Sequence, residues 1–136
     1  MDFFTIRVYG LLINDKKEIL LANEEYSGMS FTKFPGGGLQ FGEGTIDCLK
    51  REFIEEAQLH IEVVSHFYTT DFFQPSAFNS EKQVISIYYK VKCENSPDLF
   101  PQNAPHCFYW RKLKELSVND VTFPIDKKVV AMLKEE

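Results

Sequence analysis

Apolar and polar positions alternate between long β-type runs and two stretches of helical period. TIRVYGLLI (residues 5–13) is β-branched and aliphatic and predicts a buried strand. NDKKE is turn material, and ILLAN (residues 19–23) predicts a second strand, hairpin-paired with the first. Residues 24–33 are polar and predict a loop. FPGGGLQFGEG (residues 34–44) holds five of the seven glycines and is punctuation of a stronger kind. The period then changes to 3.6, and a helix is expected over residues 45–58, with Thr45 at its N-cap or first turn. On a wheel, Ile46, Leu49, Phe53 and Ala57 form the apolar stripe that must face a sheet.

Beyond the helix, IEVVSHFYTT (residues 61–70) and VISIYYKVKC (residues 84–93) predict strands separated by a loop over residues 72–82. A long loop over residues 94–105 follows, then a strand over CFYWRKL (residues 107–113) with Trp110 in the core. An amphipathic helix over residues 123–136 carries Pro124 in its first turn. No repeat or linker divides residues 1–136, so one domain is expected: α+β, layered α/β/α, with a mixed central sheet and one helix on each side.

Composition narrows the function classes. The chain is 44% hydrophobic and 15% aromatic, which is enough for a packed core. Its net charge of −5 argues against nucleic acid or an anionic membrane as a partner held by bulk electrostatics. Cys48, Cys93 and Cys107 have neither disulfide-framework nor zinc-site spacing. With no secretory-type start and no apolar run of about 20 residues, a cytoplasmic protein is expected.

REFIEEAQL (residues 51–59) gathers three glutamates on one arc of the expected helix. Glu52 and Glu56 repel at i,i+4, while Arg51 and Glu55 attract. Taken alone, such a face is most often solvated. It is also the donor set of a hard divalent cation. The glycine-rich loop upstream strengthens the second reading, because Gly36, Gly37 and Gly38 leave space for a ligand close to the backbone.

Gly37, five residues, Glu43, seven residues, Arg51-Glu52-Phe53-Ile54-Glu55-Glu56 and Leu59 together resemble the Nudix box. Every fixed position agrees except the late glycine, which is Gln58. That residue has either to adopt the left-handed conformation or to let the helix exit differently. The resemblance implies a Nudix-like α/β/α sandwich with a catalytic helix after the glycine loop. It implies a metal-dependent hydrolase that cleaves a diphosphate bond in a nucleoside diphosphate linked to another group: a dNTP, ADP-ribose or a related nucleotide. Mg²⁺ (or Mn²⁺) is the implied cofactor, held by Glu52, Glu55, Glu56 and the Gly37 carbonyl. Arg51 is implied to orient the carboxylates, Glu43 to pair with it, and Glu52 or Glu55 to accept a proton from water.

Substrate contacts lie outside the box. Phe73 and Phe78, with Phe72, are candidates to stack on a base, and Arg7 to meet a phosphate or sugar. The FPID motif (residues 123–126) is similar to the last helix of MutT-like members, which makes Asp126 a candidate base contact, with helix capping as its alternative role. Pro75 is similar to a proline of ADP-ribose-type members. Glu94 and Asp98 are the acids of the late loop, where some members recruit a further ligand, and the three histidines are expected to be structural. Exposed aromatics leave room for a homodimer. The alternative from another class is a nucleotide-binding or regulatory module of the same fold that has lost catalysis.

Overall fold

The computed structural model describes residues 3–103 and 106–136. Its elements are β1 (Phe3–Leu12), β2 (Glu18–Tyr26), β3 (Met29–Lys33), β4 (Gly36–Gly38), α1 (Thr45–Ala57), β5 (Glu62–Thr69), β6 (Lys82–Lys92), β7 (Gln102–Asn103), β8 (His106–Lys112) and α2 (Pro124–Lys134). The strands form a mixed sheet in the order β4-β1-β6-β5, with β1 parallel to β6, and an antiparallel sheet in the order β3-β2-β8-β7.

Alternate residues of β1 and β2 serve two cores, which is why both strands read as unbroken apolar runs. Val8, Leu12, Leu20 and Ala22 pack with Cys48, Leu49 and Phe53 of α1. Tyr9, Leu11, Ile19 and Leu21 pack with Ile125, Val129, Val130 and Leu133 of α2. One helix therefore covers each side of the strand layers, as the chain's periodicity predicts. The paired sheet is double, though, rather than one sheet. No helix among the described residues is long and apolar enough to cross a membrane.

Several elements differ from expectation. β1 and β2 are not a hairpin pair: β1 is already paired on both edges, by β4 and β6, so β2 takes β3 and β8 instead. Where the two come together they share the bridge Ile13–Ile19 and the bond from Asn14 N to Glu18 O. Residues 24–33 are not a loop. β2 runs on to Tyr26 and turns through Ser27 and Gly28, both at positive φ, into β3. In α1, Ile46 stays 43% exposed, and Cys48 occupies the buried position, its Sγ 3.6 Å from the Gly38 carbonyl. Trp110 is only partly buried, its indole donating to Pro97 O at 2.9 Å. β7 interrupts the predicted late loop, whose residues 104–105 lie outside the described residues.

Candidate functional site

The loop and helix of the box meet through a missing side chain. A Cβ on Gly37 would stand 2.5 Å from the carboxyl carbon of Glu52, so only glycine lets that carboxylate lie against the backbone. Gly36, at φ 147°, makes the turn that brings the loop there. α1 begins immediately afterwards, capped by Gly44 with Thr45 in its first turn. It ends at Gln58, which adopts the left-handed conformation (φ 56°, ψ 37°) where the box has glycine. The amides of Gln58 and Leu59 bond Ile54 O and Phe53 O, so the chain makes the usual helix exit without the usual residue.

Arg51 ties the face together. Its Nε and Nη2 donate to the two oxygens of Glu43 at 3.0 and 2.8 Å. Its Nη1 donates to Glu52 Oε1 at 3.0 Å and Glu55 Oε2 at 3.1 Å, and its Nη2 to Gly38 O at 3.2 Å. Fork geometry of this kind suits arginine and not lysine. The guanidinium, helped by the Gln40 amide, holds the Glu43 carboxyl down at about 2. Burial pushes the neighbouring Cys48 thiol up to about 12, so it is no nucleophile.

Glu56 turns away from Arg51 into a second group of charges. Its side chain is 17% exposed, and its Oε2 is buried with no hydrogen-bond partner among the described residues. Burial pushes its carboxyl up to about 8, with Glu52 and Glu24 adding to the shift and Lys33 opposing it. Glu52, Glu55 and Glu56 carry the oxygen donors that suit a hard divalent ion, although the donor atoms that stand within 4.8 Å of one another among the described residues are those of Glu24, Glu56 and His106. Lys33 is itself buried. Its Nζ touches Glu24 Oε2 at 2.7 Å and donates to Gly36 O at 3.1 Å. Burial works against its charge, but Tyr9, Glu24 and Glu56 outweigh it and raise its pKa above that of an ordinary lysine.

A cleft of about 740 Å³ opens beside these charges. Its floor is Arg7 and Tyr9 of β1 with Ser86 and Tyr88 of β6, and one wall is the β2–β3 hairpin with Glu24 and Lys33. At its outer end four rings, Tyr26, Phe31, Phe78 and Phe123, touch edge to face or tilted at centroid separations of 5.1 to 6.1 Å. Asp126 closes the opposite wall, 3% exposed, and accepts a short hydrogen bond from Tyr88 Oη. Burial raises its carboxyl to about 6.

The structure therefore brings Gly37, Glu43, Arg51, Glu52 and Glu55 together and sets Glu56 beside them. Arg7, Phe78 and Asp126 line the cleft, and Arg7 Nε donates to Tyr9 Oη at 2.6 Å. Asp126 does not cap α2, whose N-cap is Phe123. Phe73 does not line the cleft and is 71% exposed, so it is not placed to stack there. Glu94 and Asp98 also lie outside the cleft, and Asp98 pairs with Lys16 at 2.9 Å. Sequence reasoning missed Glu24, Lys33, His106, Tyr26 and Phe31. The first two share one face with the ring pair at i,i+2 spacing across a Ser-Gly turn, a hairpin signal hidden by the polarity of the segment. His106, expected to be merely structural, stands between Glu24 and Glu56.

Comparison with known proteins places the fold. Among solved structures, MutT from Methanosarcina mazei Go1 superposes with a TM-score of 0.77 at 20% identity, covering 98% of this chain and 95% of that one. The E. coli ORF135 protein gives 0.73 at 17% identity over 96% and 88%. An ADP-ribose pyrophosphatase from Streptococcus suis 89-1591 gives 0.68 at 18% identity over 96% and 90%. At these identities the likeness is one of fold. No curated protein matches the chain significantly. The model of the NUDIX domain matches residues 4–133, and the chain belongs to that family.

Proposed function

We propose that this protein hydrolyses a diphosphate bond in a nucleoside diphosphate linked to another group, and that it needs Mg²⁺ or Mn²⁺ to do so. The observation that carries the reading is one guanidinium holding Glu43, Glu52 and Glu55 along a glycine loop whose Gly37 has no room for a Cβ. Residues 1–136 act as one domain in this reading.

Glu52, Glu55 and Glu56, with the Gly37 carbonyl, would hold the metal. A bound dication supplies polarisation of the phosphoryl oxygens and a water of lowered pKa. Arg51 fixes the orientation of the carboxylates, and Glu43 fixes Arg51. Glu55 is held by one bond from Arg51 and is 57% exposed, which leaves an oxygen free to accept a proton. Glu52, pressed against Gly37, is the other candidate for that role. The ring cluster at the cleft mouth suits stacking of a nucleobase, and Arg7 suits a phosphate or ribose. The MutT and the ADP-ribose pyrophosphatase among the structural neighbours support trying both substrate types.

A panel of ADP-ribose, dinucleoside polyphosphates, nucleotide sugars and normal and oxidised dNTPs tests the proposal. Turnover of at least one class should appear with Mg²⁺ or Mn²⁺ and vanish with EDTA. Turnover that survives a Glu52→Gln/Glu56→Gln double change would overturn it. Tight nucleotide binding without turnover under every metal would instead establish a binding module.

A further inference from the structure

The group of charges behind the box carries a feature that an all-oxygen magnesium site does not need. Glu24 and His106 are directly opposite each other in the β2–β8 pair, so two strands fix their separation. Glu56 reaches the same place from the last turn of α1. His106 Nδ1 lies 3.3 Å from Glu24 Oε1, and its Nε2 lies 3.8 Å from Glu56 Oε1. One donor atom from each of the three residues falls within 4.8 Å of the others. Two donors about 2.1 Å from a common ion are at most about 4.2 Å apart, so a small closure would bring all three onto one ion.

Each of the three residues has a buried atom that makes no directed hydrogen bond among the described residues. These atoms are Glu24 Oε2, Glu56 Oε2 and His106 Nδ1. Lys33 Nζ is ion-paired with Glu24 Oε2 at 2.7 Å and donates to Phe34 O and Gly36 O, so the atoms left with neither a hydrogen bond nor the lysine are Glu56 Oε2 and His106 Nδ1. Native interiors rarely leave such groups unmet. Lys33 already stands against Glu24, so little of the carboxylate charge here is left for an ion. That tells against Mg²⁺, whose binding is ionic and which gives up water reluctantly. An imidazole nitrogen adds the donor that suits transition-metal dications.

We propose that Glu24, Glu56 and His106 form a mixed nitrogen–oxygen subsite that takes a transition-metal dication such as Mn²⁺, Co²⁺ or Zn²⁺ in preference to Mg²⁺. The subsite shares Glu56 with the box and in that respect rests on the proposed function. It makes the choice of metal a property of residues on β2 and β8 rather than of the box.

Electron spin-echo spectroscopy of the full chain with bound Mn²⁺ reads the bond directly. The wild-type protein should show ¹⁴N modulation from a coordinated imidazole. His106→Gln should abolish it while still binding Mn²⁺, and a His66→Gln control should keep it. By calorimetry, His106→Gln should weaken Zn²⁺ binding at least about tenfold and leave Mg²⁺ binding unchanged. Bound Mn²⁺ without nitrogen modulation would overturn the subsite alone. Failure to bind any dication would overturn the subsite and the proposed function together. The wild-type spectrum needs no variant, so a misfolded substitution cannot rescue the idea.

Discussion

Gly37→Ala adds one methyl group at the point where the loop and α1 meet. The added Cβ would lie 2.5 Å from the Glu52 carboxyl carbon and 2.5 and 2.7 Å from its oxygens, where ordinary contact begins at 3.4 Å. The carboxylate must therefore retreat by about 1 Å. Gly37 is not at positive φ, so its backbone accepts alanine without strain. The atoms that must move are the end of a side chain and not backbone. The stability cost should accordingly be small, about 1 kcal/mol, at the low end for overpacking. A misplacement of about 1 Å in a positioned group costs about a hundredfold in rate, or about 3 kcal/mol of transition-state stabilisation. The assay is kcat/KM on the best substrate of the panel under saturating metal, with a thermal melt alongside. A folded Gly37→Ala protein with kcat/KM within about twofold of wild type would refute the reasoning, because Glu52 would then not work from this position.

Three further outcomes follow from individual contacts. Arg51→Lys keeps the charge but loses the fork that reaches Glu43, Glu52 and Glu55 together, and kcat should fall about 10- to 100-fold in a steady-state assay, with a lower melting temperature. Gln58→Gly should stabilise by about 1 kcal/mol and raise the melting temperature by about 3 °C, since the left-handed φ of 56° then costs nothing; an unchanged melt would count against strain at the helix end. For Asp126, burial raises the carboxyl to about 6 from an ordinary 3.8, so the folded state holds a proton that the unfolded chain releases. That contribution is fully present below pH 3.8 and lost as pH rises through 6. It amounts to about 3 kcal/mol at most. Denaturant titrations from pH 3.5 to 7 should show Asp126→Asn gaining on wild type across that window, and parallel curves would contradict the assignment.

The parts of this site that were legible in the sequence are the local ones. Glycine loop, helix and acid cluster occupy one short segment, and its resemblance to the Nudix box is what assigns Gly37, Glu43, Arg51 and Glu52 to one device. Even Gln58 could be singled out, because a helix exit has few conformations open to it. What escaped notice depends on long-range pairing. Glu24 meets His106 only because β2 pairs with β8, a register that no local pattern carries. Lys33 looks like loop polarity until the Ser-Gly turn folds β3 back and buries it. Phe73 and Phe78 sit in the same loop with similar surroundings in the chain, and only the β2–β3 wall decides that Phe78 joins the ring cluster while Phe73 faces solvent. Ile46 shows the same limit within α1. It has the right helical phase, but in the first turn the core extends to Cys48 and not to it.

The most direct test of the central claim is hydrolysis in H₂¹⁸O followed by ³¹P NMR and mass spectrometry of the products, on the substrate that the panel selects. With Mg²⁺ or Mn²⁺, one ¹⁸O should enter a single phosphate product, and the signal should disappear with EDTA and in Glu52→Gln. Unchanged ¹⁸O incorporation in the folded Glu52→Gln protein, or in the absence of any dication, would contradict the account.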